Sequence, residues 1–90
     1  MYSPGRVKRI TATADVFGAG QREVYVQGFT LTPGTAATTF VLREGGSGGA
    51  VVATWLFAAN GPSIAVPLAF MIDRPHLTIT GAAAEASFVF

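Results

Sequence analysis

The side chains able to do chemistry are few and scattered. His76 is the one imidazole, and the serines are Ser3, Ser47, Ser63 and Ser87. Nucleophilic catalysis needs a hydroxyl, an imidazole and a carboxylate brought together. None of these serines lies in a G-x-S-x-G elbow, and His76 sits in a β-rich run with Thr78 and Thr80 on its face. That face reads as solvated or interfacial. The carboxylates Asp15, Glu23, Glu44, Asp73 and Glu85 are far apart. A folded pair of them could serve glycoside hydrolysis, but scattered acids more often keep a surface hydrated. There is no Cys, no D-x-D-x-D-G loop and no His cluster, so no metal or cofactor is expected. Gly18-Ala19-Gly20 has no βαβ context and reads as a turn. Gly45-Gly46-Ser47-Gly48-Gly49 would cradle a phosphate only before a helix, usually with a following Lys. A β run follows it instead, with no Lys near, so it reads as a hairpin loop. The expectation is a protein that is not an enzyme.

The elements around these residues are strands. Thr, Val, Ile and Phe fill the runs, and Gly, Pro and Asn punctuate them. No long segment holds apolar residues at helical spacing. The short Gly81–Ala86 stretch reads as a tight connection. Strands are expected over 6–14, 22–32 (with a bulge at Gly28), 37–44, 50–59, 63–70, 76–80 and 85–90. About seven short strands with frequent turns make a sandwich or a small barrel. A single domain over 1–90 is expected, all-β, as a small antiparallel β-sandwich of jelly-roll or immunoglobulin-like type. Residues 1–20 are open between an N-terminal arm and a strand.

Composition adds a reason to associate. Half of the 90 residues are hydrophobic and 12% are charged, against about 25% charged in ordinary domains. A chain this short buries only roughly 60–65% of its unfolded surface. It has no disulfide to staple it, and oligomerisation is a common substitute. Strand 50–59 is apolar on both faces. Simple alternation puts Val52, Thr54 and Leu56 on one side and Val51, Ala53, Trp55 and Phe57 on the other. Such a strand is either central or meets another subunit. Val51, Ala53, Trp55, Phe57, Phe88 and Phe90 are therefore the candidate interface residues. On this reading Trp55→Ala weakens assembly more than folding.

Other partners are less well served. Arg6, Lys8 and Arg9 are the one basic cluster and the net charge is +1, so no nucleic-acid partner is expected. No apolar leader follows the basic start. The charge-free stretch 45–72 is interrupted by Asn60-Gly61-Pro62 and Pro67, so no membrane span is expected. Among the aromatic residues, Tyr25 and Trp55 are the best candidates for a sugar platform.

The segments "TLTPGTAATTFVLREGGSGGAVVATW" (Thr30–Trp55) and "LTITGAAAEASFVF" (Leu77–Phe90) carry a resemblance. Together, at somewhat under half the chain, they resemble the small β-sandwich structural proteins of tailed bacteriophages. The resemblance implies a non-enzymatic virion protein, made in the host cytoplasm. It would be a capsid decoration or cement protein bound to itself, as a trimer, and to the major capsid protein or other virion proteins. The alternative it implies is a small tail or head–tail protein, with a carbohydrate- or receptor-binding module as one form. The ending Phe-Val-Phe suggests a last strand docked in a sheet or against a neighbour.

Overall fold

The computed structural model describes residues 7–18, 20–67 and 69–90. These form ten strands and no helix: β1 Val7–Ile10, β2 Ala14–Asp15, β3 Glu23–Val26, β4 Gly28–Thr32, β5 Thr38–Glu44, β6 Ala50–Phe57, β7 Ile64–Val66, β8 Phe70–Asp73, β9 His76–Thr80 and β10 Glu85–Val89. Every ladder is antiparallel.

The ladders are nested about the Gly-Ser loop. β5 pairs with β6, β4 with β7, β3 with β8, β2 with β9 and β1 with β10. Glu44 faces Ala50, Leu31 faces Ile64, Val24 faces Ile72 and Val7 faces Val89. The members of each pair lie at nearly equal sequence distance from Ser47. The chain is thus one long hairpin whose tip is Gly45–Gly49. Positive φ at Gly45 and Gly46 (93° and 88°) makes that tip a glycine task.

The ribbon then rolls up. β10 also pairs with β4, and β9 with β5. This gives two four-stranded sheets, β1-β10-β4-β7 and β2-β9-β5-β6, with β3–β8 as a two-stranded ribbon. Rolling a nested antiparallel hairpin into two four-stranded sheets makes a jelly roll. The expected antiparallel sandwich is therefore what forms.

Ten strands replace seven because three long runs break. The run 6–14 divides at Thr11–Thr13, so β1 joins one sheet and β2 the other. The run 22–32 divides at Gln27, whose N–H donates to the Val89 carbonyl at 2.7 Å. The run 63–70 stops before Pro67, which has no N–H for a ladder, and Phe70 opens β8. Of the stretch left open between arm and strand, residues 7–18 contribute β1 and β2, both paired; residues 1–6 and 19 lie outside the described residues.

The core follows the period of two. Phe40 and Leu42 of β5 and Leu77 of β9 point inward from one sheet, and Phe29, Leu31, Ala86 and Phe88 from the other. Each fully buried Phe or Leu contributes about 1.5–3 kcal/mol by leaving water.

Candidate functional site: the free edge of β6

β6 is the longest strand, eight residues, and it lies at the edge of its sheet. Of the two situations the sequence allowed, the edge is the one seen: among the described residues only β5 pairs with it. A bulge decides which residues face out. The register shifts at Leu42/Arg43, so Leu42 faces Ala53, Arg43 faces Val51, and Val52 is the extra residue. Directly opposed residues share a face. Ala53, Trp55 and Phe57 stand opposite Leu42, Phe40 and Thr38 and point into the sandwich. Val51 stands opposite Arg43 and points out.

This corrects simple alternation, which grouped Val51 with Ala53, Trp55 and Phe57. A bulge inserts one residue and flips the pattern beyond it. Trp55 packs edge-on against Phe29 of the other sheet, with ring centroids 5.3 Å apart. Phe57 packs edge-on against Phe40 at 5.6 Å. Both rings are half-buried. The exposed large side chains of the strand are Val51 and Val52, each 50% accessible, and Leu56, 77% accessible.

Beside this edge the sandwich is open. An apolar groove of about 230 Å³ runs between β6 of one sheet and β7 of the other, lined by Phe29, Leu42, Val52, Ala53, Trp55, Val66 and Phe70. Among the described residues no polar side chain lines it.

The other two candidate interface residues are elsewhere. Phe88 is 1% accessible and stacks on Phe29 at 5.0 Å. Its strand, β10, lies between β1 and β4, so Phe88 is a core residue and offers no surface to a partner. Phe90 is half-buried and meets Phe17 edge-on at 4.5 Å.

The polar residues gather at the other side of the sheet. His76 Nδ1 lies 2.9 Å from Asp15 Oδ1. The sequence suggested a solvated or interfacial histidine; instead its residue accessibility is 9%. β2 and β9 place Asp15 directly opposite His76. Among the described residues no hydroxyl hydrogen-bonds the ring, and no group of three His, Asp or Glu comes together to hold a metal. A shallow hollow of about 350 Å³ lies nearby, between Asp15, Gln21, Arg74 and the loop containing Ser47. The Arg43 guanidinium donates to the Gly49 carbonyl at 3.1 Å, so that charge holds the hairpin tip. Sequence spacing missed the Asp15–His76 contact. Counting outward from Ser47 along the nested hairpin places Ile79 opposite Asp15, three residues from His76, so the contact depends on the actual register of β2 on β9.

No family, curated protein or solved structure matches this chain.

Proposed function

We propose that this chain is a non-enzymatic structural protein of a virion, a capsid decoration or cement protein that associates with itself and with the major capsid protein. One observation carries the adhesive part of the reading. An uncharged edge strand exposes Val51, Val52 and Leu56 beside an open apolar groove. Long, flat, apolar edges invite pairing with another chain, and proteins that live alone usually blunt them. Repeated weak contacts on a symmetric particle add up through multivalency. The placement on a virion rests on the resemblance of Thr30–Trp55 and Leu77–Phe90. The jelly roll suits it, since capsid domains use that architecture, but lectins and cupins use it too. Mass spectrometry and cryo-EM of particles made by the genome that encodes the chain test the placement. Stoichiometric density on the head surface is the expected result. Particles without the chain contradict it.

A second reading has its own observation. Tyr25 of β3 and Met71 of β8 are directly opposed and about half exposed, 51% and 54%. Tyr25 is a better sugar platform than Trp55, because Trp55 is engaged with Phe29. Glycan-array binding lost in Tyr25→Ala would favour a tail or head–tail receptor-binding role.

A further inference from the structure

We infer that β6 pairs antiparallel with β6 of a second copy across a two-fold axis. Two β2-β9-β5-β6 sheets then join as one eight-stranded sheet, and the two open grooves close on each other. The inference rests on the self-association in the reading above, and it is independent of the virion.

Comparison of the four outer edges of the sandwich singles out β6. The edge strands are β1 and β7 in one sheet, β2 and β6 in the other. β1 carries Lys8 and Arg9, both exposed. β2 is two residues long. β7 is three residues long and is followed by Pro67. Charge, brevity and proline are the usual devices that keep edges from pairing. β6 has none of these three; a bulge, another such device, lies at Val52 near its start, and the stretch beyond it, Ala53–Phe57, is regular, uncharged and free of proline.

The occupant follows from what the edge demands. An added strand must carry apolar residues on its inward face, because it would lie over the groove of Phe29, Trp55, Val66 and Phe70. It must also bring no charge into that position. β6 itself meets both demands, with Ala53, Trp55 and Phe57 inward and no ionisable group.

Charge placement permits the self-pairing. The nearest charges on the neighbouring strand, Arg43 and Glu44, lie opposite Val51 and Ala50, at one end of β6. An antiparallel partner carries its own Arg43 and Glu44 to the far end, so like charges do not meet. A two-fold axis normal to the sheet keeps inward residues beside inward residues. The regular stretch beyond the bulge, Ala53–Phe57, is where this alternation is unbroken.

A typical stable interface buries about 800 Å² on each partner, which is roughly 15% of the chain's 5176 Å² surface. A strand pair alone falls short of that. Covering the exposed Val52 and the groove lining adds apolar area to the strand pair. β6–β6 pairing yields a dimer, where the phage resemblance implied a trimer.

Amide hydrogen exchange and light scattering on the intact chain, at about 1 µM and about 100 µM, test this with three variants. Leu56→Lys and Thr54→Lys place charge on the outer face of β6, at positions exposed enough to spare the fold. Met71→Lys does the same on β8 as a control. A dimer is expected at the higher concentration, with the Ala53–Phe57 amides protected at least about 10-fold more than at the lower. Leu56→Lys and Thr54→Lys should weaken the dimer at least about 10-fold with unchanged urea midpoints, and Met71→Lys should not. An oligomer indifferent to both β6 variants, with unchanged β6 exchange, overturns the β6 interface and leaves self-association standing. A monomer at the higher concentration overturns both.

Discussion

Trp55 of β6 and Phe29 of β4 meet edge to face at 5.3 Å and join the two sheets beside the groove. Phe29 also stacks on Phe88 and meets Phe70, so Trp55 caps an aromatic cluster rather than standing free. Removing the indole should therefore cost folding as well as assembly. Trp55→Ala is expected to lower unfolding stability by about 2–4 kcal/mol, less than a fully buried Trp at the upper end. Urea denaturation read by CD measures it. A loss within about 0.5 kcal/mol would restore the expectation that this ring serves assembly more than the fold.

Phe88 is the contrasting case. It is enclosed in the core, and Phe88→Ala should cost about 3–5 kcal/mol, much of the stability of a domain this size. The thermal transition should fall steeply or vanish. A stable, well-folded variant with altered assembly would return Phe88 to the interface.

The fold was legible where local chemistry decides. The Gly-Ser stretch reads as a hairpin loop, and Phe40 and Leu42 alternate with Thr39 and Val41 as an inward face should. What could not be read was set by partners distant in sequence. The bulge opposite Leu42/Arg43 turned Val51 outward, and nothing within 50–57 announces it. Pairing of β10 between β1 and β4 buried Phe88, although its own run, EASFVF, looks no different from an interface strand. Asp15 and His76 meet only because the hairpin rolls as one ribbon. The free edge of β6 likewise appears only once the strand order is known.

The hairpin tip makes a paired prediction. A Cβ at Gly49 would lie 1.8 Å from the Glu44 carbonyl oxygen, whereas one at Gly48 would meet nothing. Gly49→Ala should distort the tip and lower stability by at least about 1 kcal/mol. Gly48→Ala should be neutral or slightly stabilising, through the less flexible unfolded chain. Denaturation midpoints in the reverse order would contradict the tip geometry.

Asp15 and His76 should act as a structural pair. Removing Asp15 leaves a mostly enclosed ring nitrogen short of its partner, and Asp15→Ala is expected to cost about 0.5–1.5 kcal/mol. A double-mutant cycle with His76→Ala should give a coupling of about 1 kcal/mol. Additive losses would mean that the contact contributes nothing.

The central claim is that this polypeptide adheres through the uncharged edge of β6. Sedimentation velocity of the wild type over about 1–200 µM measures this most directly. The account predicts a concentration-dependent rise to twice the 9.3 kDa mass of one chain. A single 9.3 kDa species across the whole range would contradict it.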